Sequence, residues 1–188
     1  MKNKHSLSFY LFLVLVVFSP LACGPTRSLT RATQKLTPIT NALVGILQTS
    51  AETIVVAPIV AVETSFSADE YARAGGDIGQ WKKIAAGQLN VITERCLHDA
   101  LGGYKNFKLI DRASIEKIFS DLKLSMAVSS DERLILGKML GATHLVFAEV
   151  YRTPNSTSKD PTDVKDTYTT RLVDVVTGEV LATDIQPH

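Results

Sequence analysis

Residues 107–151 hold two strand-like runs and two helical runs, each with its own start and stop signals, so they read as one folding unit. Phe107, Lys108, Leu109 and Ile110 make a short apolar strand, and Asp111 follows as a helix N-cap whose carboxylate accepts from the free N–H groups of the next turn. Ile115, Ile118, Phe119 and Leu122 then recur at i, i+3, i+4 and i+7, one helical face, with Glu116, Lys117 and Asp121 on the other. After a connector over 124–128, Ser129 stands three residues before Glu132, the spacing of a reciprocal cap, ahead of Leu134, Ile135, Leu136, Met139 and Leu140. Gly141 stops this second helix, because only a residue free to turn left-handed ends it cleanly. Residues 144–151, with Leu145, Val146, Phe147 and Val150, are long enough for a strand and too short for another helix.

The flanks extend the same alternation. A first strand is expected over 53–62, apolar without a break and therefore buried on both faces, with an interruption or a sheet edge at Pro58, which has no N–H to donate. Residues 64–79 are polar and end in Gly75-Gly76-Asp77-Ile78-Gly79, the pattern of a mobile loop. The glycines lack the lysine and serine of a phosphate loop and the full dinucleotide fingerprint. The longest helix is expected over 80–101, with Trp81, Ile84, Ala85, Leu89, Ile92, Cys96 and Ala100 or Leu101 as its covered stripe, ended by Gly102-Gly103. Residues 153–165, with Pro154 and Pro161, read as an exposed connection, and 166–176 and 179–184 as two antiparallel strands turning at Thr177-Gly178. The chain therefore predicts an α/β (α+β) single domain: a mixed sheet of about five strands with three main helices packed against it.

Three blocks carry a family resemblance: Phe107-Lys108-Leu109-Ile110-Asp111-Arg112-Ala113-Ser114-Ile115-Glu116-Lys117-Ile118, Leu136-Gly137-Lys138-Met139-Leu140-Gly141-Ala142-Thr143-His144-Leu145-Val146, and Arg171-Leu172-Val173-Asp174-Val175-Val176-Thr177-Gly178-Glu179-Val180-Leu181. They resemble the CsgG family of curli-assembly lipoproteins and, more distantly, the LpoB-type activators of penicillin-binding proteins, over roughly residues 53–183. The resemblance implies a strand entering a helix, a helix entering a strand, and a hairpin. It brings no catalytic residue.

The amino terminus points to export. Lys2 and Lys4 precede an apolar run over 7–18 that is shorter than the roughly 20 residues of a membrane span, so residues 1–22 read as a signal peptide. Pro20-Leu21-Ala22-Cys23 resembles a bacterial lipobox and makes Cys23 the lipidation site, although Pro20 replaces the usual aliphatic residue. Residues 23–51 then read as a lipid-anchored flexible linker, in which 37–47 has the makings of a short helix, and 52–188 as the CsgG-like domain. Gly24, rather than an aspartate, after the cysteine implies retention on the periplasmic side of the outer membrane.

Without Lys2 and Lys4 the chain carries 18 basic and 19 acidic residues, a balance of −1 that provides no field for nucleic acid. Cys96 is the one other cysteine, so no disulfide framework is expected. His98 and Cys96 are two apart on a helix and point away from each other, which makes no metal pair. Neither Gly-x-Ser-x-Gly, His-Glu-x-x-His nor Cys-x-x-Cys occurs. The expectation is a non-enzyme with no catalytic, cofactor-binding or metal residues and no small-molecule substrate.

What remains is a CsgG-like binding or assembly protein of the cell envelope that lacks the membrane hairpins of a pore. Residues 153–165 have no alternation of the kind a barrel strand needs, and carry Lys159, Asp160, Asp163 and Lys165 against one aliphatic side chain, Val164. The alternatives are an LpoB-like activator of a peptidoglycan synthase and an accessory subunit of a curli-type secretion channel. The partner is correspondingly an envelope protein or a second copy of the chain.

Overall fold

The computed structural model describes residues 36–73, 77–121, 130–154 and 163–187. Five strands form one mixed sheet: β1 (Ile54–Thr64), β2 (Phe107–Leu109), β3 (His144–Pro154), β4 (Val164–Asp174) and β5 (Val180–Pro187), in the order β2-β1-β3-β4-β5. β1 runs parallel to both neighbours, and β3, β4 and β5 are antiparallel in turn. The described helices are α1 (Thr37–Thr49), α2 (Ala68–Arg73), α3 (Ile78–Leu101), α4 (Arg112–Asp121) and α5 (Ser130–Met139). The fold is the expected single α+β domain around a five-stranded sheet.

Strand alternation sorts the core into two sides. Ala57, Ile59, Leu145, Phe147, Val173 and Val175 meet Ile115 and Phe119 of α4 and Leu136 of α5 on one face. Ile54, Val56, Val146 and Leu172 meet α1 and the end of α3 on the other, and Val60, Val62, Ala148 and Val150 meet Leu89 of α3. β1 is covered on both sides, as its apolar run requires.

Pro58 does not interrupt β1. Val56 accepts from the Ile110 amide on the β2 side, so by alternation the ring nitrogen of Pro58 also faces that side, where β2 has already ended at Leu109. No ladder bond is lost, and β3 pairs with Val56 to Thr64 without a break on the opposite side.

Several sequence expectations are corrected by packing. Within the linker expected over 23–51, the short helix read at 37–47 forms as Thr37–Thr49, but it belongs to the folded body: Ile39, Leu43 and Leu47, with Leu36 before it, are buried against the sheet and α3. Pro38, which looked like spacer composition, sits in the first turn, where its missing N–H would have no helical partner anyway. Asn106 ties the other end down: its Nδ2 donates to the carbonyls of Leu47 and Ser50, each at 3.1 Å. The mobile loop over 64–79 contains α2, whose entry is a reciprocal cap in which the Ser67 amide donates to Glu70 Oε2 at 2.8 Å and the Glu70 amide to Ser67 Oγ at 3.3 Å.

The connection over 153–165 is shorter than expected, because Thr153 pairs with Lys165 and Pro154 with Val164 in the β3–β4 ladder. On α3 the buried residues are Leu89, Asn90, Thr93, Leu97 and Leu101, while Ile84 is 51% exposed. The stripe follows the i+4 row, which inclines to the helix axis and carries Ile84 out of the contact. In the second helix the apolar pattern makes Met139 as much a core candidate as Leu136, but Leu136 is buried and Met139 is 52% exposed. Leu136 and Gly137 take the contact instead, with Gly137 so close that a Cβ would lie 2.9 Å from Val175 Cγ2.

The cap at Asp111 forms as read, its Oδ1 accepting from the Ser114 amide at 2.9 Å, and Gly141 adopts φ +66°. The cap at Ser129 lies outside the described residues. Because Leu43 is fully buried, Leu43→Ala is expected to cost about 2–5 kcal/mol of unfolding free energy. Denaturant unfolding of the wild type and the variant checks this; a linker residue would give no change.

Candidate interaction site

The face covered by α4 and α5 is only half covered. In the direction of β1, Ile59 and Phe147 are the last core pair, with Arg171 beside Phe147 on β4. Next come Ala61, Glu149 and Thr169, then Glu63, Tyr151 and Thr167, each trio lying side by side across β1, β3 and β4. These two rows floor a hollow of about 300 Å³, and Arg133 of α5 stands at its lip. Small side chains at Ala61, Thr167 and Thr169 replace the Ile59 and Phe147 of the covered end, which is why space opens here.

Glu149 is the one carboxylate set into this middle region of β3, and two arginines neutralise it. Arg133 Nη1 donates to Oε1 at 2.7 Å, and Arg171 Nη2 donates to Oε2. Arg133 also lies over the Phe147 ring, its Cζ 4.9 Å from the centroid, so one guanidinium joins the apolar core to the Glu149 carboxylate. Burial opposes ionisation of Glu149, but the hydrogen bonds from Arg171 and Arg133 outweigh it and hold the carboxyl below its ordinary value. Arg171 Nε is buried with no acceptor among the described residues.

A second ion pair stands at the same end of the sheet on the opposite face. Arg152 grips Asp166 with two bonds, Nε to Oδ1 at 2.7 Å and Nη2 to Oδ2 at 2.8 Å, the fork geometry that a lysine does not reproduce. Its Nη1 donates to the Tyr71 hydroxyl at 3.0 Å, and its Cζ stands 4.3 Å from the centroid of Trp81. Tyr71 in turn packs against Phe66 and Trp81. This cluster pins α2 and the start of α3 to β3 and β4. It also shows the outer end of the β3–β4 hairpin to be a polar, ion-paired ladder.

The other residues singled out in the sequence are dispersed. Cys23 lies outside the described residues. Cys96 is half-buried, and His98 is exposed on α3. His144 is buried; desolvation lowers its pKa against the opposing pull of Asp174, and Nδ1 stands 2.9 Å from Thr143 Oγ1. Asp77 of the glycine-rich stretch caps α3, its Oδ1 accepting from Gly79 and Gln80. Among the described residues no group of three or more His, Cys, Asp and Glu side chains stands ready to hold a metal, and no helix is long and apolar enough to cross a membrane. The hollow itself went unseen in the sequence, although the break in apolar character at Glu149 within Leu145-Val146-Phe147-Ala148-Glu149-Val150 marks its position.

No family model and no curated protein matches the chain. Among solved structures, the C-terminal domain of LpoB from Salmonella enterica is similar, with 16% identity, a TM-score of 0.44, and coverage of 81% of this chain and 96% of that one. The corresponding domain from Escherichia coli gives 16% identity and a TM-score of 0.46 over 84% and 97% of the two chains. An NMR structure of E. coli LpoB gives 15% and 0.49 over 83% of this chain and 66% of that one. Likeness at this level bears on no activity. The curli-assembly half of the sequence resemblance gains no support from these structures.

The ionised Glu149 side chain, 20% exposed, should contribute stability that is full above the ordinary glutamate value of about 4.3 and is lost as the pH falls through its lower folded-state value. Glu149→Gln is expected to cost about 1–3 kcal/mol at pH 7 and less at pH 3, because below about 4.3 the unfolded wild-type chain takes up the proton that the paired carboxylate of the folded state resists. Denaturant midpoints at the two pH values check the sign.

Proposed function

We propose that this chain is an exported, lipid-anchored binding module of the bacterial cell envelope, acting on a protein partner rather than turning over a substrate. The observation that carries the reading is the hollow beyond Arg133: a floor of mainly apolar exposed surface around the internally neutralised Glu149, left open where the helices end. Such a surface suits contact with another protein, with Tyr151 as an exposed aromatic edge and Thr167 and Thr169 as adaptable donors and acceptors. The amino-terminal sequence supports the location, placing the module on the periplasmic side of the outer membrane through Cys23.

Because α1 belongs to the folded body, only residues 24–35 separate Cys23 from Leu36, a length that spans at most about 45 Å. The partner must therefore present its surface within that reach plus the width of the folded body, and the tether raises the local concentration of the module there. Within this class the finer reading is an LpoB-like activator of a peptidoglycan synthase, which rests on the three sequence blocks. Transport through a curli-type channel gains nothing from the hairpin, whose paired outer rows carry Arg152, Asp166 and Lys165.

Two measurements test the proposal. Cys23→Ser should release the protein from the membrane fraction to the soluble periplasm, and unchanged membrane association would refute the anchor. A photo-crosslinking residue at Tyr151 or Thr169, introduced in the envelope, should give a discrete protein adduct that the same residue at Arg95, on the opposite side of the sheet, does not. Equal labelling from all three positions would refute the hollow as the binding surface.

A further inference from the structure

The outer edge of β5 offers a second, independent interaction surface. β5 is the last strand of the sheet, with β4 as its one strand neighbour among the described residues. The hydrogen bonds decide which of its backbone groups are free. Val175 donates to Thr143 and Asp174 to Glu179, so odd-numbered β4 residues face β3 and even-numbered ones face β5. Leu172 pairs with Ala182 and Thr170 with Asp184, so Ala182 and Asp184 are bonded inward, and the N–H and C=O of Thr183 and Ile185 point outward. A bulge at Val173 opposite Val180 accommodates the extra residue Leu181 and leaves the strand regular beyond it.

The side chains follow the same division. Leu181, Thr183 and Ile185 are exposed, while Ala182 and Asp184 are half-buried on the α1 side. Six of the nine large apolar side chains exposed on the described surface lie on α5, the β4–β5 turn or β5: Ile135, Met139, Val176, Val180, Leu181 and Ile185. α5 is seated against that turn, its Leu134 Cδ1 3.2 Å from where a Cβ on Gly178 would stand. Between Val180 and Ile185 the edge carries no lysine and no proline; the bulge at its start and Asp184, turned to the α1 side, are the devices against edge pairing it has, and neither covers the outward groups of Thr183 and Ile185.

We infer that β5 pairs antiparallel with β5 of a second copy of this chain, about a two-fold axis at Thr183. The sequence of the strand selects that occupant. With Thr183 opposite its own counterpart, Leu181 of each copy stands opposite Ile185 of the other, and Ala182 opposite Asp184. Apolar meets apolar, threonine meets threonine, and no two like charges are opposed. Moving the axis to Ile185 would place Pro187, which has no N–H, opposite Thr183 and lose a ladder bond. The pairing makes a ten-stranded sheet across two copies. It is modest in area, so it forms when copies are concentrated, as tethering on one membrane concentrates them. It does not depend on the reading of the hollow, which lies toward β1 on the same face.

The test uses residues 23–188 carrying Cys23→Ser, in analytical ultracentrifugation up to about 100 μM. The wild type should sediment as a monomer–dimer equilibrium, and Thr183→Pro, which removes an outward N–H, and Ile185→Lys should each weaken the dimer at least about ten-fold. Circular dichroism and melting confirm that both variants fold; Ile185→Lys, at a side chain 62% exposed, keeps the test decisive if the proline does not. In a Cys96→Ser background, Thr183→Cys should also form an intermolecular disulfide, since directly opposed bonded residues sit about 5.5 Å apart at Cα, within disulfide range. A monomer at every concentration with no disulfide would overturn the inference. So would a dimer indifferent to both Thr183→Pro and Ile185→Lys, since it would place the contact elsewhere.

Discussion

A strand without a polar side chain from Ile54 to Val62 cannot face water on either side, and this constraint on β1 shapes the rest of the molecule. Burial on both faces demands helices on both faces, which a parallel neighbour supplies because its crossover must pass over the sheet. The β1-to-β2 crossover brings α3 to one face, and the β2-to-β3 crossover brings α4 and α5 to the other. α3 alone is too narrow to cover Ile54, Val56, Val146 and Leu172 together, so α1 lies beside it, and the segment before β1 is drawn into the core.

Cover ends where charge enters the strands. On the α5 face the boundary is Glu149, on the α3 face Arg152, and each is matched by opposite charge before it meets the hollow or the solvent. Removing a partly buried charge from water is tolerable only when its hydrogen bonds are replaced, so the two arginines around Glu149 and the fork of Arg152 on Asp166 are conditions of having charge there at all. The same pairings give the open end a definite shape. The hollow is thus the region where a core built from β1 runs out, bounded by side chains fixed in place by that core.

Much of this was legible from local pattern. The Asp111 cap, the Gly141 stop, the buried face of Ile115 and Phe119, and the strands at β1 and β3 all follow from a spacing and a residue type acting within a few positions. The errors share one cause. Ile84 and Met139 were placed by helical period alone, which gives a face but not which edge of that face the neighbouring element touches. Composition likewise makes residues 64–79 and 153–165 look like loops, a local signal that misses the reciprocal cap at Ser67 and the ladder pairing at Thr153.

The sequence by itself determined the class of fold, the strand and helix types, and the need to cover β1 twice, because apolar periodicity, caps and turn glycines act over short distances. Only the tertiary structure decided that the helix at 37–49 belongs to the folded body rather than to a linker, since Leu43 and Leu47 share a core with Leu97 and Leu101, fifty or more positions away. It alone brought Arg133, Glu149 and Arg171 together, placed Pro58 beyond the end of β2, and left β5 at the edge with Thr183 and Ile185 facing out. Those outcomes depend on register and strand order, which are set by the packing of distant segments; the one local mark they leave is the polar break at Glu149 in an apolar strand, which names neither of its arginine partners.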